Sequence, residues 1–219
     1  MLREHVLKSG ARQVLEVGCG TGNFIGALAA LPGVEAFGVD PTPDMLAVAR
    51  QRGHRVAYST GSAEHTGQAD GAFDFIYSVD VIHFVDDLPA MFREAHRILR
   101  PEKVVCTITD SEEIIRRRVP LTTYFPETIA VEAARYPKPD EIHRAMAECG
   151  FGWISSHVIE YQEDLTDIGV YRSRAASSLR LISEEAWRRG LSRLEADLER
   201  GPIRRVSPYL VIWGVQPAA

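Results

Sequence analysis

Cysteine is scarce in this chain: three in 219 residues, at Cys19, Cys106 and Cys149, with no C-x-x-C pair among them. That spacing argues against a zinc site, an iron–sulfur cluster or a disulfide framework, and an intracellular, cytoplasmic location is expected. No apolar run approaches the roughly 20 residues that a membrane helix needs. The opening M-L-R-E-H-V-L-K is charged and amphipathic, so no signal peptide is expected. Positive charge is short as well: the net charge is −5, with −4 over residues 1–110 and −1 over 111–219. A chain with no basic half is poorly suited to wrap nucleic acid. The run Arg116-Arg117-Arg118 is the exception and reads as solvated surface, with an anionic substrate group or a membrane headgroup as the sharper alternative. No internal repeat or low-complexity tract is present, and no metal site is expected.

What is there fits one globular domain of ordinary composition, 45% hydrophobic and 25% charged. The first 110 residues alternate apolar strands with helices, the pattern of βαβ units and a mostly parallel sheet. Strands are expected near 13–18, 34–40, 54–59, 73–79 and 103–109, and helices near 23–31, 43–52 and 87–99, after a short leading helix over 1–9. Pro32-Gly33 stops one helix, Asp44 suits the opening turn of the next, and Pro101 ends the one that finishes H-R-I-L-R.

The stretch V-L-E-V-G-C-G-T-G, Val14 to Gly22, reads as a buried strand running into a glycine turn with a helix directly after. Gly18, Gly20 and Gly22 leave no Cβ in the way of a ligand that approaches the backbone. Asp40 closes the second strand, V-E-A-F-G-V-D, where a carboxylate can accept hydrogen bonds from ribose hydroxyls. Glycine turn and strand-end acid together form a nucleoside-binding signature. The dinucleotide fingerprint G-x-G-x-x-G would need glycine at position 23, which is Asn23, and Glu16 beside the turn would repel a pyrophosphate but attract an ammonium or sulfonium cation.

On these residues the chain resembles the class I S-adenosylmethionine (SAM)-dependent methyltransferases, in particular the small-molecule type 11 and ubiquinone-biosynthesis-like group, whose first motif E-V-G-C-G-T-G matches. The resemblance implies a Rossmann-like α/β fold: a seven-stranded, mostly parallel sheet with helices on both faces, the last strand antiparallel, and lid insertions. It implies SAM as cofactor and S-adenosylhomocysteine as product. Glu16, Gly18, Cys19, Gly20 and Gly22 would line the methionine end, with Cys19 itself reading as a small packing residue. Asp40, Pro41 and Met45 would take the ribose side, and Ser62, Ala63 and Glu64 of G-S-A-E-H the adenine ring. Ser78, Val79 and His83, at the end of the fourth strand, would stand beside the methyl donor. His83 is the candidate catalytic base and equally reads as a packed residue above the cofactor. The family's usual L-K/R-P-G-G turn is here L-R-P-E-K, Leu99 to Lys103, which suggests a different local turn.

The second half carries the individuality. A helix is expected at 138–149 and strands near 152–161 and 206–215, which leaves insertions of about 111–136 and 162–203. Within the second, Ser183 reads as an N-cap, and Trp187, Leu191, Leu194 and Leu198 form one apolar stripe expected to pack on the body of the protein. Tyr124, Tyr136, Tyr171 and Arg172 are expected to belong to a lid that selects the substrate. The reading is thus a methyltransferase of a small-molecule acceptor, moving the methyl to N, O or C by in-line displacement, with oligomeric state open. A non-catalytic SAM-binding regulator, a tRNA-wobble methyltransferase and a NAD-dependent dehydrogenase are the alternatives, the last two disfavoured by net charge and by Asn23 respectively.

Overall fold

Apolar runs punctuated by glycine, proline and helix caps become alternating helices and strands in the computed structural model, which describes residues 1–218. In chain order the elements are α1 (Leu2–Ser9), β1 (Gln13–Val17), α2 (Asn23–Ala29), β2 (Glu35–Asp40), α3 (Pro43–Gln51), β3 (Val56–Thr60), β4 (Phe73–Val79), α4 (Leu88–Ile98) and β5 (Leu99–Thr109). There follow α5 (Glu112–Arg117), α6 (Leu121–Tyr124), α7 (Thr128–Ala133), α8 (Pro139–Glu148), β6 (Ile154–Leu165), α9 (Gly169–Arg172), α10 (Glu184–Leu198) and β7 (Ile203–Val215). Local chemistry sets several starts. Pro43 opens α3 with Asp44 in its first turn. Asp87 caps α4 by accepting from the Ala90 N–H at 2.8 Å, and Ser183 caps α10 by accepting from the Ala186 N–H at 3.1 Å.

The seven strands form one sheet in the order β3-β2-β1-β4-β5-β7-β6. β1 pairs in parallel with β2 and β4, β2 with β3, and β4 with β5. Hydrogen bonds between Gln216 and Lys103, and between Val215 and Trp153, run the last two strands antiparallel to their neighbours. The strand order reverses between β1 and β4, the switch point at which open α/β sheets bind ligands. Central strands are covered on both faces: Phe73, Phe75, Ile76 and Tyr77 of β4 are all buried, as are Val14 and Leu15 of β1.

One boundary differs from expectation in an informative way. β5 begins at Leu99, where α4 ends, and not at 103. Pro101 does stop the helix, but the chain enters the strand at once. Glu102, where the family's turn has glycine, takes φ +63°. The left-handed conformation is kept without the residue that adopts it most cheaply. β6 and β7 are also longer than expected, reaching Leu165 and starting at Ile203.

The chain divides into two compact units. Unit 1 comprises Met1–Thr109, Pro139–Ser156 and the segment from Val211 on; unit 2 comprises Asp110–Lys138 and His157–Leu210. Unit 2 has its own core of Tyr124, Phe125, Leu165, Ile168, Tyr171, Leu179, Ile182, Ala186 and Leu194. The stripe on α10 packs there: Leu194 is fully buried, with Trp187, Leu191 and Leu198 against the same cluster. Gly190 lets the helix approach closely, because a Cβ would overlap the Tyr124 carbonyl and the Phe125 ring. Among the described residues no helix is long and apolar enough to cross a membrane.

Candidate functional site

At the carboxyl end of β1 the chain turns over Gly18-Cys19-Gly20-Thr21-Gly22 into α2. The three glycines take φ +70°, +51° and +76°, a region that L side chains seldom adopt. Gly18 and Cys19 donate their N–H groups to the Val39 carbonyl at 2.7 and 3.0 Å. Gly20 donates its own to Asp40 Oδ2 at 2.8 Å. The loop is therefore pinned along the end of β2. A Cβ at Gly20 would meet nothing within 4 Å, so the backbone there is open to a ligand. One at Gly18 would overlap Val81, and one at Gly22 the Tyr58 hydroxyl.

Asp40 is buried at the end of β2, and its other oxygen accepts from the Thr42 N–H at 2.9 Å. A carboxylate held by a backbone N–H on each oxygen is fixed in orientation, with lone pairs left for a ligand's hydroxyls. Pro41 and Met45 follow it, both exposed. Glu16 lies beneath the loop at 1% exposure, and its Oε2 accepts from the Ile25 N–H at 2.9 Å and the Tyr77 hydroxyl at 3.2 Å. Burial pushes its carboxyl up to about 8; the two hydrogen bonds oppose that, and the Asp40 charge adds to it. Cys19 is buried, and burial, with the charges of Glu16 and Asp40, pushes its thiol up to about 12. It is a packing residue under the turn, with no thiolate character.

The loop after β3 closes on itself. The Ser62 N–H donates to the His65 carbonyl at 3.0 Å, and the His65 N–H to the Ser62 hydroxyl at 3.2 Å. Ahead of it, the Gly61 N–H donates to the Asp40 carbonyl at 3.3 Å, and so Ala63 and Glu64 lie in a turn attached to the end of β2. At the end of β4 the Ser78 hydroxyl is bonded to that of Thr107 at 2.9 Å, both buried, which leaves Val79 and the residues after it to face the edge. Asp80 takes φ +54° and donates its N–H to the Ile108 carbonyl at 2.9 Å. A short 3₁₀ turn, Ile82–Phe84, then carries His83, half-buried, its ring 4.0 Å from that of Phe84.

Unit 1 thus gathers the glycine loop, Asp40, the 61–64 turn and the 78–83 segment at the carboxyl ends of its parallel strands. The four residues expected of a lid lie in unit 2. Tyr124 and Tyr171 are buried in its core, where the Tyr124 hydroxyl donates to Asp197 at 2.9 Å and Tyr171 stacks on Phe125 at 5.9 Å. Tyr136 is half-buried, and Arg172 is exposed and paired with Glu195 at 2.9 Å. In the basic run each arginine has an acidic neighbour: Arg116 has Glu112, Arg117 has Glu160, and Arg118 has Asp110. The sequence reading did not single out Tyr77, Tyr58, Thr66 or Glu94. The first two support the glycine loop, Tyr77 from β4 through Glu16 and Tyr58 from β3 against Gly22, and no local pattern signalled either.

Strand order, switch point and glycine loop define a Rossmann-like α/β domain. Residues 15–107 match the family described as a methyltransferase domain. The chain is 33% identical over 89 residues to a demethylmenaquinone methyltransferase of Chlorobaculum parvum, covering 41% of this chain and 37% of the relative. It is 38% identical over 93 residues to a malonyl-[acyl-carrier protein] O-methyltransferase of Serratia marcescens, covering 42% and 36%. The matches span little more than a third of those relatives' length. In fold, the chain is similar to Haemonchus contortus phosphoethanolamine N-methyltransferase 2 solved with S-adenosyl-L-methionine: TM-score 0.61 at 22% identity, covering 99% of this chain and 52% of that one.

Proposed function

We propose that this protein transfers the methyl group of SAM to N, O or C of a small-molecule acceptor, releasing S-adenosylhomocysteine, and that it does so in the cytoplasm. One observation carries the reading. The segment that matches the methyltransferase family, 15–107, contains every strand end of the candidate site: the glycine loop, Asp40, the 61–64 turn and the 78–83 segment. The residues fit the cofactor, since the backbone at Gly20 is open and a fixed carboxylate stands beside it. Bound there, SAM supplies a methyl on a sulfonium that is already a good leaving group.

The chain's work is then alignment and exclusion of water. Asp40 accepts from the ribose hydroxyls, with Pro41 and Met45 beside it. Ser62, Ala63 and Glu64 receive the adenine. Gly18, Cys19, Gly20 and Gly22 offer backbone to the methionine end, and Glu16 lies below them, where a cation bound above releases its proton. Val79 and His83 face the methyl, with Ser78 beneath them bonded to Thr107. His83 takes a proton only where the acceptor is a hydroxyl, a carbon acid or a protonated amine. Acceptor choice is assigned to unit 2, which lies outside the family match, with Tyr136 and Arg172 as its candidate contacts and Tyr124 and Tyr171 supporting them from its core. A net charge of −5 favours a small molecule over nucleic acid.

The test is incubation with SAM labelled in the methyl group and a small-metabolite extract. Labelled product, with stoichiometric S-adenosylhomocysteine, is the expected result. Binding of SAM without transfer to any component would overturn catalysis in favour of a regulator.

A further inference from the structure

The loop between β3 and β4 has little to hold it. From Gly61 to Asp70 it contains no helix or strand, and Thr66 is its single buried residue. Hydrogen bonds fix its position. Thr66 donates both its N–H, at 2.9 Å, and its hydroxyl, at 2.5 Å, to Glu94 Oε1. Glu94 projects from the middle of α4 and is itself buried. Arg97, one turn on, grips Glu94 with two nitrogens at 2.8 Å each, donates to the Gln68 carbonyl at 2.8 Å, and pairs with Asp70. Burial would raise the Glu94 carboxyl, but the bonds from Arg97 and Thr66 outweigh it and hold it down to about 2.

We propose that Glu94 is a positioning residue, which through Thr66 holds the Gly61–Thr66 turn in the conformation that receives the adenine ring. This rests on the cofactor assignment above. Glu94 touches no ligand; its effect is to fix Ser62, Ala63 and Glu64 before one arrives. The cost of ordering the turn is then met in the free protein, where binding would otherwise bear it. Glutamine at 94 keeps an oxygen for Thr66 and weakens only the grip of Arg97, whereas leucine removes the acceptor altogether.

The experiment compares Glu94→Leu, Glu94→Gln and Thr66→Val with the unaltered protein. It measures calorimetric affinity for S-adenosylhomocysteine and for 5′-methylthioadenosine, which has the nucleoside without the amino-acid end, together with amide exchange over 61–70. Asp74→Ala is the control. Asp74 ties β4 to the Arg12 and Gln13 N–H groups at the opposite end of the strand, so its loss lowers stability without touching the turn. We expect Glu94→Leu to bind both ligands about 10-fold or more weakly and by the same factor, with faster exchange in 61–66. Glu94→Gln should restore most of the affinity, and Thr66→Val should lose a few-fold. Affinity unchanged in Glu94→Leu and Thr66→Val, or lost equally in Asp74→Ala at matched melting temperature, would overturn the proposal. Failure of the unaltered protein to bind either ligand would instead overturn the cofactor assignment.

Discussion

Glu16 sets the strongest residue-scale prediction, because it is a carboxyl without water. Its folded-state value of about 8 lies above the ordinary 4.5, so between these limits the native state holds a proton that the unfolded chain has released. Stability is therefore fully present below about pH 4.5 and falls as pH rises through 8, by up to about 1.4 kcal/mol per pH unit within that window. Glu16→Gln should flatten this slope in thermal melts across pH 5–8.5; an unchanged slope would show that another group is responsible. A cation bound above the loop should release that proton. Affinity for S-adenosylhomocysteine should then rise with pH more steeply in the unaltered protein than in Glu16→Gln. Asp40 and the three glycines were legible in the sequence because spacing alone brings them together. The burial of Glu16 was not: its partners are the Ile25 N–H and a tyrosine 61 residues away, which no local pattern reveals. The bond between Thr66 and Glu94 spans 28 residues and was hidden for the same reason.

At the scale of elements, turns decide most of the outcome. Glu102 holds φ +63° in the turn that opens β5. Relief of left-handed strain outweighs the added freedom of the unfolded chain, so Glu102→Gly should stabilise by roughly 0.5–1 kcal/mol, read as a raised denaturant midpoint. Gly22→Ala should do the reverse. It adds strain at φ +76° and drives a methyl into the Tyr58 hydroxyl, at a cost of about 1–3 kcal/mol, with loss of nucleoside affinity. Equal stability of Gly22→Ala and the parent would contradict the loop geometry. Strand and helix positions in the first 110 residues followed from apolar periodicity and from the punctuation at Pro32-Gly33, Asp44 and Pro101. The start of β5 did not, because proline reads as a break while the sheet still recruits the residues on either side of it.

At the scale of the whole molecule, the sheet order follows from alternating β and α segments, whereas the organisation of the insertions does not. Short helices such as α6 and α9, four residues each, carry too few periods to be read. The clustered aromatics were legible as a group, but their burial in a separate core was not, since a tyrosine reads equally well as a ligand contact. Phe125 is wholly buried in that core, so Phe125→Ala should destabilise unit 2 by about 3–5 kcal/mol. Amide exchange should then quicken within 110–138 and 157–210 before it does in β1 and β4. Simultaneous loss of protection in β1 and β4 would show that the units unfold as one. The central claim, that the carboxyl edge of unit 1 binds SAM, is tested most directly by calorimetric titration with S-adenosylhomocysteine, beside Asp40→Ala. The account predicts micromolar binding, weakened in the variant by roughly 1–3 kcal/mol through loss of a charged hydrogen-bond acceptor. Absence of binding by the unaltered protein, or equal affinity in both, would contradict it.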